Sequence, residues 1–245
     1  MNDSAGPAPE FPQGGQGRQP VFNLPGILTA SILLLIAIYV VQVYVLSDEL
    51  REKVFMFGAF VPARYIYPLS EQGLEWFTSP VTYSLLHGGI EHLGFNCLWL
   101  AAFGAPVVRR IGALRFLVYW LVSSIASALL FLVLHWGEVS LLIGASGVIS
   151  ALMGSACRFA FPPEEGRIGG PVHLLPLLSV TEALRSGTVR VFILMWFVGN
   201  LIFALGIPLL GDIGAVAWEA HIGGFVFGFF LFPLFDPLRR RRARF

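Results

Sequence analysis

Ser146 lies in Gly144-Ala145-Ser146-Gly147, inside a charge-free apolar stretch bounded by Glu138 and Arg158. A serine hydroxyl becomes a useful nucleophile only when a base stands ready to take its proton. The candidate base is His221, in Ala220-His221-x2-Gly224-x3-Gly228. Acyl transfer also needs donors aimed at the oxyanion that develops in the transition state. His92 and Asn96 are four apart, so they share one helix face. The backbone N–H of Ser146, at the head of a helix, is a third natural donor. His87 and His92 are five apart, which does not match the i, i+4 pair of a zincin helix. Cys97 and Cys157 form no CxxC pair and read as small apolar fillers. No metal and no cofactor is expected.

These residues must be carried by membrane-spanning elements. The chain has 245 residues, of which 56% are hydrophobic and 13% charged, against about a quarter charged in a soluble domain. The fold class is therefore an all-α polytopic membrane protein with six transmembrane helices. The spans are Val21 to Ser47, Leu93 to Val108, Phe116 to Gly137, Val139 to Cys157, Val191 to Leu210 and Ala220 to Phe235. Residues 1–20, rich in Gly, Pro and Gln, read as a disordered cytoplasmic tail and not as a cleavable signal peptide. Residues 21–237 form the six-span unit. Within it, residues 48–86 make a long, partly helical first outer loop. Residues 238–245 are a basic cytoplasmic tail.

Thirteen of the sixteen Lys and Arg residues fall on one side of these spans, among them Arg109, Arg110, Arg158 and Arg239 to Arg242. By the positive-inside rule both termini are cytoplasmic. Spans two, four and six then all enter from the outer side, and each carries its polar residues near its start. Ser146 is twelve residues before Arg158, about 18 Å along a helix. In a hydrocarbon core of about 30 Å, that places it roughly 10 Å below the outer surface. Asn96 and His221 fall in the same layer. Ser146, Ser150 and Gly154 form a small-residue stripe on span four; His221, Gly224 and Gly228 form another on span six. Packing one stripe on the other would bring His221 beside Ser146. The phenylalanines of span six, Phe225, Phe227, Phe229, Phe230 and Phe232, read as lipid-facing bulk, and His135 and His173 as interfacial or loop residues.

The motifs His87-x4-His92-x3-Asn96, Gly144-Ala145-Ser146-Gly147 and Ala220-His221-x2-Gly224-x3-Gly228 resemble those of the rhomboid intramembrane serine proteases. Gly104 and Gly112 fit the same pattern. The resemblance implies a rhomboid-like helical bundle with Ser146 as nucleophile and His221 as general base and acid. It implies His92 and Asn96 as oxyanion side chains. His87, Gly144, Gly147, Gly224 and Gly228 would be supporting residues. It implies a dyad without a catalytic Asp; Asp212, in the last outer loop, reads as solvated. Three positions depart from the family's pattern. Val108 stands where a Glu is usual, and Ser150 stands where many bacterial members have an aromatic residue. No Trp-Arg pair is evident near Trp76 and Phe77.

The expected activity is endoproteolysis of transmembrane protein substrates near the outer leaflet, in the bacterial inner membrane. The partners are those substrates and the lipid bilayer, not nucleic acid, and the oligomeric state is left open. A catalytically inactive, client-binding relative is the alternative. A channel or transporter ranks below it, because no internal repeat is evident.

Overall fold

An apolar run inside a bilayer must satisfy its backbone hydrogen bonds within itself, which selects helices. The computed structural model describes residues 23–161, 171–205 and 217–238. The apolar runs form α1 (Gly26–Val40, continued by a π turn, Val41–Val45), α4 (Ile90–Ile111), α5 (Ala113–Leu134), α6 (Ser146–Ala156), α8 (Gly187–Ala204) and α9 (Trp218–Leu231). Between them lie α2 (Asp48–Gly58), α3 (Glu75–Thr82) and α7 (Val180–Arg185). Among the described residues there is no strand, only an antiparallel bridge between Phe60 and Leu142. The tail over residues 1–20, Asp212 and the run Arg239 to Arg242 lie outside the described residues.

The segment expected as the first outer loop is held in part by bonds among its own residues. Ser47 caps α2 by accepting from the Leu50 N–H at 3.3 Å. Arg64 donates to the carbonyls of Ala59 and Met56 and so closes the C-terminal end of α2. The Tyr65 hydroxyl donates to the Trp76 carbonyl at 2.9 Å, and the two rings lie 5.2 Å apart. Thr82 donates to the Gly58 carbonyl at 2.8 Å, tying α3 to α2. In place of a Trp-Arg pair, this loop is built around Arg64, Tyr65 and Trp76.

α6 and α9 form the centre. Every residue of α6 from Gly147 to Ala156 is buried. Lipid is as apolar as the helices it surrounds, so association rests on close packing. Glycines provide it: a β-carbon on Gly224 would collide with the Gly147 carbonyl, and one on Gly228 with the Ala151 carbonyl. One on Gly154 would meet the backbone of Phe225 and Phe229. The contact face of α6 is therefore Gly147, Ala151 and Gly154, one residue on from the expected stripe at its first two positions. Ser146 and Ser150 lie beside the tightest seam, not within it.

The central position of α9 also overturns the lipid-facing reading of its aromatics. Phe225, Phe227, Phe229 and Phe232 are all buried, and only Phe230 is exposed. A helix enclosed by α5, α6 and α8 has little lipid face left, so the rings fill gaps between neighbours. Phe225 stacks on Trp196 of α8 at 4.4 Å, and Phe227 packs on Tyr119 of α5 at 5.6 Å.

The ends of the bundle away from Ser146 are tied by polar groups. Arg110 and Asp236 form a fully buried ion pair at 2.8 Å, and Arg110 also donates to the carbonyls of His173 and Leu175. Val108, by contrast, is packed in the apolar core. The corner that a Glu at that position could have pinned is held by Asp236, from the far end of the chain. Gly112, at φ 81°, makes the tight turn from α4 into α5 that few other residues would adopt.

Candidate active site

The approach to Ser146 is not helical. Val139 to Ala145, expected within span four, runs as an irregular segment ahead of α6. Leu142 exchanges backbone hydrogen bonds with Phe60, at 2.9 and 3.1 Å. The Gly144 N–H donates to the Tyr83 carbonyl at 2.9 Å. Gly144 has φ 107°, outside the range of ordinary L-residues. A β-carbon there would also stand 2.6 Å from Cε1 and Nε2 of His92 and 3.5 Å from Nδ2 of Asn96. A glycine is thus required twice over: by its backbone angle and by the side chains against it.

The helix begins immediately after, with Ala145 as N-cap and Ser146 as first residue. The first N–H groups of any helix lack intrahelical acceptors. The Ser146 N–H is the first of them here, and His92 and Asn96 lie against Gly144, two residues before it. Asn96 is 5% exposed, and its Nδ2 is a buried donor without a hydrogen-bond partner. Such atoms are uncommon in folded proteins and call for an explanation. His87 is buried next to His92, with ring centroids 5.1 Å apart. Gly147 packs against Ser127 and the Tyr83 hydroxyl, which itself donates to the Ser124 carbonyl at 2.9 Å. That packing seats the start of α6 on α5.

His221 comes from the first turns of α9. Its Nε2 lies 2.8 Å from the Ser146 Oγ. Both residues are partly buried. The close approach of Gly224 to Gly147, one turn further in, sets this separation. At the outer end of α9, Glu219 accepts from His135 at 2.9 Å, and His135 also contacts Glu138 at 2.7 Å. His135, at the end of α5, thereby anchors the start of α9 two residues from His221. His173 lies in the loop near the inner ends, where its carbonyl meets Arg110.

One neighbour was not singled out from the sequence. Asn200, on α8, places its Oδ1 2.7 Å from Nδ1 of His221. Asn200 is 6% exposed. The signal was available: Asn200 is a carboxamide within the apolar run Val191 to Leu210, and polar groups there are costly and usually functional.

Apolar helices, with a hydroxyl–imidazole pair held among them at the head of a buried helix, define a class: integral membrane proteins with the elements of serine-type hydrolysis. A family model for the rhomboid domain matches residues 74–236. The chain is 31% identical to rhomboid protease AarA of Providencia stuartii over 225 residues, covering 84% of this chain and 72% of that protein. It is 26% identical to rhomboid protease GlpG of Pectobacterium atrosepticum over 181 residues, covering 73% of this chain and 55% of the relative. It is 25% identical to rhomboid protease GlpG of Yersinia pestis over 217 residues, or 86% and 63%. The chain thus spans less than two thirds of the length of both GlpG proteins. It belongs to the rhomboid family of intramembrane serine proteases.

Proposed function

We propose that this protein is an intramembrane endopeptidase that cuts transmembrane segments of other proteins near the outer leaflet, using Ser146 and His221. The observation that carries the reading is the 2.8 Å contact between His221 Nε2 and Ser146 Oγ. The hydroxyl proton passes to Nε2 as Oγ bonds to the scissile carbonyl carbon. The carbonyl oxygen becomes an oxyanion, received by Asn96 Nδ2, His92 and the Ser146 N–H. The imidazolium then protonates the leaving amine as the C–N bond breaks. Water, activated in turn by His221, releases the acyl group from Ser146.

A buried, unpartnered Asn96 donor supports this arrangement, because an oxyanion would supply its missing acceptor. Substrate helices must unwind locally, since a helical carbonyl is already hydrogen-bonded. Segments with Gly or Pro near the cut are favoured. In this reading residues 21–237 are the catalytic unit, both termini are cytoplasmic, and the membrane is the bacterial inner membrane. The charge asymmetry of the loops supports that orientation.

The test is covalent labelling of the detergent-purified protein with a mechanism-based serine-protease probe. Wild type is expected to label at Ser146 and to cleave a transmembrane substrate, and Ser146→Ala to do neither. A folded wild type that neither labels nor cleaves would leave the client-binding reading in its place. Asn96→Ala is expected to lower kcat by about 10²- to 10³-fold, the usual cost of one oxyanion donor. Steady-state cleavage of a transmembrane substrate measures it. An unchanged kcat would remove Asn96 from the oxyanion site.

A further inference from the structure

The side of His221 facing away from Ser146 is held as closely as the side facing it. Asn200 Nδ2 donates to the Trp196 carbonyl one turn back on α8, at 2.8 Å. That bond fixes which way the carboxamide points. Reversed, it would set its oxygen against the Trp196 carbonyl, two acceptors face to face. With Nδ2 engaged, Oδ1 is the atom that meets His221 Nδ1, at 2.7 Å. An amide oxygen only accepts, so Nδ1 must carry the proton. A neutral imidazole protonated at Nδ1 has its lone pair on Nε2, the atom 2.8 Å from the Ser146 hydroxyl.

We infer that Asn200 is a positioning residue that selects the Nδ1–H tautomer of His221 and so leaves Nε2 free to accept the Ser146 proton. This deepens the proteolytic reading and rests on it. The carboxamide also gives His221 a hold from α8. Ser150, where many bacterial rhomboids have an aromatic residue, cannot stack on the ring. Trp196 stacks on Phe225 next to this clasp, which keeps α8 and α9 in register at the level of Asn200. When Ser146 gives up its proton, His221 becomes a cation and the Nδ1–H bond to Asn200 becomes charge-assisted. The contact is thus stronger in the transition state than in the resting enzyme, which lowers the barrier without tightening substrate binding.

The test uses the full-length protein, wild type and Asn200→Leu, with two readouts. The first is the ¹⁵N spectrum of histidine-labelled protein, with the His221 signals assigned by their loss in His221→Gln. Wild type is expected to show protonated Nδ1 and unprotonated Nε2, and Asn200→Leu to lose that preference. A resting Nε2–H tautomer in wild type, or an unchanged tautomer in Asn200→Leu, overturns the inference whether or not the protein cleaves anything. The second readout is turnover. Asn200→Leu is expected to lose roughly 10- to 100-fold in kcat with little change in KM, the loss typical of one hydrogen bond to a charged group. No loss of turnover in Asn200→Leu overturns the positioning role. Failure of wild type itself to label or cleave would count against the proteolytic reading, and the tautomer measurement would still decide the role of Asn200.

Discussion

Replacing His221 with Gln is expected to lower turnover of a transmembrane substrate by about 10⁶-fold, as loss of the base does in soluble serine proteases. The reasoning begins at the hydroxyl. At neutral pH a serine is almost entirely protonated, and within a bilayer no bulk base is available to help it. Among the described residues, the imidazole nitrogen hydrogen-bonded to Ser146 Oγ is Nε2 of His221, at 2.8 Å. His92 packs against Gly144, two residues before the serine. The glutamine keeps much of the ring's volume but cannot accept and return a proton, so α9 should remain packed through Gly224 and Gly228. The informative measurement pairs cleavage rate with thermal unfolding in detergent. A large loss of rate at unchanged unfolding temperature is expected. Substantial residual turnover in a folded His221→Gln protein would mean that another group takes the proton.

The second large effect lies at the opposite end of the bundle. Arg110→Met is expected to destabilise the fold by about 3–5 kcal/mol, because it strands Asp236 as a buried charge without its partner. Both side chains are essentially inaccessible, at 1% and 0% exposure. The guanidinium also satisfies two carbonyls in the loop preceding α7 and lies over the Phe159 ring at 4.5 Å. Removing it opens three contacts as well as the ion pair. The double variant Arg110→Met/Asp236→Leu should recover much of the loss, since replacing a buried pair by apolar groups is often neutral. Thermal unfolding of wild type and the two variants in one detergent checks this. A single variant as stable as wild type would show that the pair contributes nothing. Asn96, on the same helix and close to Gly144, is fourteen residues before Arg110, about 21 Å by the helix rise. At temperatures where Arg110→Met is folded, its kcat should therefore match wild type.

Much of the site could be read from residue order alone. Alternating direction brings the starts of spans two, four and six to one side, which the charge asymmetry predicts to be the outer one. Polar side chains in those ends have few places to go except toward each other, which is why Ser146, His221, His92 and Asn96 could be grouped without coordinates. The small-residue stripes pointed to the correct helix pair. They misplaced the contact face of α6 by one residue, because periodicity gives a face to within about one position in 3.6 per turn. The choice between neighbouring positions belongs to the backbone atoms of the partner. The same limit applies to the phenylalanines of α9: an apolar ring suits lipid and protein interior equally, so composition could not say which.

The sequence by itself determined the helical class and the family, and it pointed to Ser146 and His221 as partners, because each follows from apolar length or motif order along one chain. Only the tertiary structure decided three things. It ended the helix at Ser146 instead of Val139, because the Phe60–Leu142 bridge and the left-handed turn at Gly144 compete with helix there. It assigned the inner corner to Arg110 and Asp236, residues too distant in the chain for any spacing rule to join. It brought Asn200 to the back of His221, a contact set by how α8 leans on α9 and not by any local pattern. Motifs record which groups a chain carries; the hydrogen bond that sets the proton's position depends on the rotation and offset of two packed helices.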